Sequence, residues 1–189
     1  MFAFKSKYFL IIDNIKNFDF KKIKKINKFT VIYRNNSKIE DFDSLTRFRN
    51  TCRVKQVKFF VANDQKLATR LKADGIYISA FNKDLKFLNL RKKNFKIMGS
   101  AHNIREINQK NIQGCSEILL SKLFQVDYDK KTFLGIIKFN YYLHYSKKLI
   151  PLGGIKETNL NSLKNVNCTG FAISSEIKKK PAKIISRLF

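Results

Sequence analysis

Eight short apolar runs punctuate the chain: YFLII (8–12), FTVIYR (29–34), VKFFV (57–61), GIYI (75–78), FKIMG (95–99), EILLS (117–121), LIPL (149–152) and GFAI (170–173). Each ends at a polar or glycine-containing turn, as strands buried on both faces of a parallel sheet do. Between them lie stretches with apolar residues at helical spacing, at 16–27, 40–53, 64–72, 83–92, 103–112, 136–147, 156–164 and 178–188. In the third of these, Leu67, Ala68 and Leu71 share one face, and Asp64 stands where an N-cap belongs.

Strand and helix thus alternate about eight times, the number that closes a (βα)8 barrel. The expected fold is α/β, a compact (βα)8 TIM barrel with short loops, formed as a single domain over residues 1–189. That length is below the ~200 residues at which such barrels usually begin. Connections must therefore be minimal, or one helix rudimentary. The competing open, doubly wound sheet expects a glycine-rich first βα turn, and IIDNIKNF contains no glycine.

Composition supports a folded core, with 44% hydrophobic residues including 18 Phe. The net charge of +25 raises nucleic acid or an anionic membrane as partners. The basic residues are dispersed, however, over KKIKK (21–25), RKK (91–93), KKTFLGIIK (130–138) and KKK (178–180). They read as solvated helix faces, and nucleic acid is not the expected partner. A small phosphorylated ligand would still gain from the positive field.

Cys52, Cys115 and Cys168 form no CxxC pair, which fits free thiols in a reducing, cytoplasmic setting. The first apolar run is stopped by Asp13, too early for a leader, and no run is long enough to span a membrane. Oligomeric state is not encoded in any pattern of this chain.

The stretch LIPLGGIKETNLNSL (149–163) carries the clearest chemical signal. An apolar run stops at Gly153-Gly154 and restarts as an amphipathic one, so backbone N–H groups are expected at a helix start, where they can hold a phosphate. The alternative is a tight turn with positive φ and no ligand. Ser174 and Ser175 offer a second phosphate contact or a plain helix cap.

Four stretches taken in order resemble one family: Asn63-Asp64 after the third strand, ADGIYI (73–78), Ser100-Ala101-His102-Asn103 after the fifth, and Leu152-Gly153-Gly154-Ile155 after the seventh. Together with YFLIID (8–13) and GFAISS (170–175), they are similar to thiamine-phosphate synthase and its non-synthase relatives, the thiazole tautomerases. The resemblance implies a barrel that joins an aminopyrimidine methyl diphosphate to a thiazole phosphate, using Mg2+ and releasing pyrophosphate. It implies catalytic roles for Arg34, Asn63 and Asp64, substrate contacts from Tyr33, Ser100 and Lys130, phosphate contacts from Gly153, Gly154, Ile173 and Ser174, and metal ligation by Asp64 and Asp84.

The chain departs from that family at three places. The Gln-x-Arg-x-Lys clamp after the second strand reads Ile32, Arg34, Asn36, so the arginine alone remains. The second metal-binding Asp falls on Asn82 by direct spacing, with Asp84 two residues on, and Asn is the poorer ligand for a hard cation. After the sixth strand, the Thr-x-Thr-Lys positions hold Val126, Tyr128 and Asp129, with Lys130 or Lys131 as substitutes only if the loop shifts. Lys122 stands where a tautomerase carries its histidine, and the histidines, His102 and His144, read as structural.

Three functions follow: an active synthase; a non-synthase paralogue that binds or isomerises a thiazole or pyrimidine phosphate; or a basic barrel that binds nucleic acid or protein. On the phosphate reading, Gly154→Asp is expected to abolish ligand binding and leave the fold largely intact.

Overall fold

The computed structural model describes residues 7–18, 20, 28–35, 40–93, 95–129 and 131–174. Its strands are β1 (Lys7–Ile12), β2 (Phe29–Tyr33), β3 (Lys58–Ala62), β4 (Gly75–Ile78), β5 (Lys96–Ala101), β6 (Glu117–Ser121), β7 (Leu149–Leu152) and β8 (Gly170–Ile173). They pair in parallel, in chain order, into a closed barrel. The seam between β1 and β8 matches Lys7 with Gly170 and Leu10 with Ile173.

Among the described residues four α-helices lie in the connections: α1 (Phe42–Val54), α2 (Gln65–Arg70), α3 (Ile104–Ile112) and α4 (Gly135–Tyr145). Asp41, Asp64 and Asn103 cap the first three by accepting from the N–H groups of Ser44, Leu67 and Glu106 at 3.1, 2.9 and 2.9 Å. Each such cap contributes about 1 kcal/mol.

The expected helices at 83–92 and 156–164 are 3-10 helices instead, Lys86–Lys93 and Glu157–Asn165. A 3-10 helix rises about 2.0 Å per residue against about 1.5 Å for an α-helix, so fewer residues return the chain along the barrel. This is how so short a chain closes the ring. Of the expected helix at 16–27, a 3-10 turn at Ile15–Asn17 is present among the described residues, and the segment 178–188 lies outside them.

Alternation along the strands divides the core in two. Phe9, Ile11, Ile32, Phe60, Tyr77 and Met98 point into the barrel with Leu119, Ile150 and Ala172. Leu10, Val31, Tyr33, Phe59 and Ile76 point outward beneath the helices. The same period of two assigns each strand's last residues to the barrel mouth or to the outer layer.

Candidate functional site

Inward-facing positions at the C-terminal strand ends open into a cavity of about 410 Å³. Its lining brings together Arg34, Ser100, Gly153, Gly154, Ile173 and Ser174 from the expected set. Arg34 is carried in by the register of β2, whose backbone continues past Tyr33 through a 2.7 Å bond from the Arg34 N–H to the Ile12 carbonyl.

Gly153 and Gly154 have φ of 93° and 67°, the left-handed region that side chains disfavour. A Cβ on Gly154 would lie 2.4 Å from the Phe124 carbonyl oxygen and 2.5 Å from that of Gln125. The β7 loop is thus packed backbone to backbone on the β6 loop. The N–H groups of Leu123 and Phe124 donate to the carbonyls of Leu152 and Gly153 at 2.9 and 3.1 Å, and Asn159 Nδ2 holds the Gly154 carbonyl at 2.7 Å. The pair therefore forms a tight turn that borders the cavity. The expectation that Gly154→Asp spares the fold is corrected, because the side chain has no room.

Tyr33 does not line the cavity. Ile32 and Arg34 take the inward positions, so Tyr33 between them faces outward, stacked 6.4 Å from Phe59, with its hydroxyl accepting from Asn35 at 3.1 Å. Burial pushes its pKa up to about 12. Lys130 lies outside the described residues, as do Asn36 and Ser175.

Asn63 (φ 58°) is occupied by neighbouring chain. Its Nδ2 donates to Ser79 Oγ at 2.8 Å, and its Oδ1 accepts from the Ser79 N–H at 3.0 Å and from Asn82 Nδ2 at 3.2 Å. The side chain ties the ends of β3 and β4 together. Asn63 and Asp64 border a separate, more open depression with Lys66, Arg70 and Lys86.

The same region tests the implied magnesium. Asp64 caps α2, and Asp84 accepts from the Lys86 N–H at 2.8 Å while pairing with Lys86 Nζ at 2.6 Å. That contact, first among its causes, holds the Asp84 carboxyl below its usual range. Among the described residues no three His, Cys, Asp or Glu side chains converge as a metal site. A hard cation wants several oxygen ligands, and a carboxylate already carrying an ammonium is a poor one. The residues present do not fit magnesium held by Asp64 and Asp84.

The 79–84 loop is underpinned by α3. Lys110 is fully buried, and its Nζ donates to the Ser79 and Asn82 carbonyls and to Gln113 Oε1 at 2.8, 2.7 and 2.8 Å. Gln113 Nε2 then reaches the Asn82 and Asp84 carbonyls at 3.0 and 2.9 Å. Every ammonium proton thus has an acceptor, which offsets the desolvation that lowers the Lys110 pKa.

In the β6 loop, Lys122 Nζ pairs with Asp129, and Thr132 Oγ1 donates to the same carboxylate. These contacts hold the Asp129 carboxyl well below its ordinary range. Lys122 also sits 5.3 Å from the Tyr128 ring centroid, and Lys156 pairs with Asp127 at 2.6 Å. The loop's charges are largely spent on one another.

The cavity also holds Val126 and Tyr128, at the positions where the family carries its threonines, and residues that the sequence did not point to, Tyr77, Ser79, Phe81 and Ser121. Strand period marks Tyr77 and Ser121 as inward, so that signal was available. His102 reaches the rim, with its N–H and Nδ1 at 2.8 and 3.0 Å from Glu106 Oε2. His144 lies on α4 beside Tyr141.

Comparison with known proteins agrees with this geometry. The chain is 28% identical over 176 residues to the thiamine-phosphate synthase of Pelagibacter ubique, covering 87% of this chain and 83% of that one. To the thiamine-phosphate synthase of Anoxybacillus flavithermus it is 24% identical over 144 residues, 74% of this chain and 66% of that one, so the match spans just under two thirds of that relative. In structure it is similar to thiamine phosphate pyrophosphorylase from Pyrococcus furiosus, with a TM-score of 0.78 and 17% identity over 97% of this chain and 93% of that one. It also resembles 3-keto-L-gulonate-6-phosphate decarboxylase from Vibrio cholerae, with a TM-score of 0.60 and 11% identity over 98% of this chain and 100% of that one. At these identities the structural likenesses speak to the fold. The sequence profile of the thiamine monophosphate synthase (TMP-TENI) family matches residues 22–177, and the chain belongs to that family.

Proposed function

We propose that this barrel binds phosphorylated heterocycles in its C-terminal cavity and condenses an aminopyrimidine methyl diphosphate with a thiazole phosphate, giving thiamine phosphate and pyrophosphate. The observation that carries the reading is a cavity in a family member that gathers the Gly153-Gly154 turn, Ser174, Arg34 and Ser100 around one space. The turn and Ser174 border the β7 and β8 side, suited to a phosphate monoester. Arg34 comes from β2 and supplies a fixed positive charge for the diphosphate.

In the reaction, the methylene C–O bond to the diphosphate breaks with its electron pair leaving on oxygen. The thiazole nitrogen donates its lone pair to form the C–N bond, and pyrophosphate departs. Arg34 stabilises the leaving charge, and the apolar walls, Ile11, Leu152 and Ala172, exclude water from the electron-poor methylene. No step is assigned to a metal, since Asp64 and Asp84 do not offer a matching site.

A second reading, a paralogue that binds the phosphate without condensing, is favoured by the internal pairing of Lys122 with Asp129 and of Asp84 with Lys86. One experiment separates them. Purified protein is mixed with both substrates and magnesium, and thiamine phosphate is assayed beside calorimetry of each ligand, with Arg34→Ala as control. Product that disappears in Arg34→Ala supports the synthase. Saturable binding of the thiazole phosphate without product selects the paralogue, and no binding of either ligand sinks both.

A further inference from the structure

Tyr77 points from the middle of β4 into the barrel and is fully buried. Its hydroxyl is the one buried side-chain polar atom among the described residues that has no hydrogen-bond partner. Ser100 and Arg34, both on the cavity wall, approach this oxygen closely enough to counter part of the effect of burial on its pKa, yet neither reaches it within hydrogen-bond distance and angle. A buried hydroxyl without a partner is costly, and native proteins seldom keep one unless something outside the chain completes it.

The barrel order decides what that something is. With strands in sequence order around a closed ring, β4 lies across from β8. The loops suited to a phosphate monoester, at Gly153, Gly154 and Ser174, follow β7 and β8. Tyr77 therefore lies on the opposite wall, flanked by Arg34 at the end of β2 and Ser100 on β5, where a second, ring-bearing ligand would lie. On β2 the inward residue below Arg34 is Ile32, which has no polar atom to offer and packs in the inner core. The polar contact on this wall comes from β4 instead.

We propose that the Tyr77 hydroxyl hydrogen-bonds a polar edge atom of the aminopyrimidine ring, making Tyr77 a specificity-determining contact of this chain. The inference rests on the proposed function and deepens it. A phenol can donate to a ring nitrogen and accept from an exocyclic amine, so it suits an edge that carries both. Burial raises the Tyr77 pKa, which keeps the phenol neutral and able to donate at neutral pH. A site that hydrogen-bonds a ring edge rejects rings lacking that edge, because the hydroxyl is then left unpaired again.

The test uses Tyr77→Phe, which removes only the oxygen. Two probes are titrated by calorimetry into wild type and variant: the phosphate monoester of the aminopyrimidine methanol, and inorganic phosphate. The expected result is about a tenfold loss of affinity for the pyrimidine ester, the worth of one hydrogen bond, with inorganic phosphate unchanged. The melting temperature of the variant should equal or exceed that of wild type, since no internal bond is lost. Equal affinity of both proteins for the pyrimidine ester overturns the Tyr77 contact and leaves the proposed function standing. A lowered melting temperature with equal losses for both probes also overturns it, by making the hydroxyl structural. If wild type prefers the pyrimidine ester no more than inorganic phosphate, the proposed function itself fails, and the contact with it.

Discussion

Replacing glycines at three positive-φ sites by alanine separates backbone conformation from close approach. Gly135, Gly153 and Gly154 have φ of 75°, 93° and 67°, so each alanine takes on the left-handed penalty of about 1–2 kcal/mol. The surroundings differ. A Cβ at Gly135 meets nothing within 4 Å, one at Gly153 meets Lys122 Cα and Cβ at 3.2 Å, and one at Gly154 meets the Phe124 carbonyl oxygen at 2.4 Å. The last neighbour is backbone, held by the bond from the Phe124 N–H to the Gly153 carbonyl, so it cannot swing aside. Overpacking of that kind adds about 1–3 kcal/mol. The expected order of destabilisation is Gly135→Ala, about 1; Gly153→Ala, about 2; and Gly154→Ala, about 3–5 kcal/mol. Equilibrium urea unfolding measures all three. If Gly154→Ala loses no more than Gly135→Ala, the β7 and β6 loops are not packed as described, and the rigid turn on which the proposed phosphate site depends goes with them.

Asp64→Ala should cost about 1 kcal/mol through loss of the α2 cap, while Asp64→Asn, which caps as well, should cost almost nothing; thermal melts of the pair decide whether the carboxylate is only a cap. Asp129 has its pKa depressed by Lys122 and then Thr132, so its stabilising contribution is complete above its ordinary 3.8 and fades as pH falls below that value. Melting temperature followed from pH 6 to about 3 should fall more steeply for wild type than for Asp129→Asn, and parallel curves would contradict this. Burial pushes the Cys52 and Cys115 thiols up to about 12, whereas Cys168 is half-buried. A thiol reagent at pH 8 should label Cys168 first, and the other two only on unfolding.

The strands were legible because each is a short apolar run ended by a turn, and all eight begin within one residue of the expected position, with β1, β3 and β5 displaced by one. The 3-10 helices at Lys86–Lys93 and Glu157–Asn165 were not, since a polar stretch of eight or nine residues with sparse apolar positions satisfies either period, and the choice is made by the length the chain has to cover. Arg34 and Ser100, which the family resemblance named, do line the cavity, and strand parity is why they face inward. Tyr33 illustrates the opposite case: it neighbours a site residue in sequence, and for that reason alone faces the other way. Asn63 was legible as a polar residue at a strand end, but its partner Ser79 comes from the next strand and no local pattern announces the pair. Lys110 was hidden altogether. A lysine on α3 reads as solvent-facing until the 79–84 loop folds over it with three acceptors in place.

The charge of the chain and the charge of the cavity are different quantities. The whole molecule carries +25, yet at physiological ionic strength charges farther than about 8 Å are largely screened. Distant lysines therefore speed the approach of an anion more than they hold it. In the β6 and β7 loops Lys122 is tied to Asp129 and Lys156 to Asp127, and in the neighbouring depression Lys86 is tied to Asp84. Among the described residues lining the cavity, Arg34 is the permanently charged side chain. Under the proposed function the glycine turn and Ser174 face a phosphate monoester, while the diphosphate, with its greater charge, meets a single guanidinium. The thiazole phosphate is then the ligand the free protein is best built to hold, and the diphosphate ester depends on its ring, and so on Tyr77 and Ser100, for the affinity that Arg34 alone does not supply.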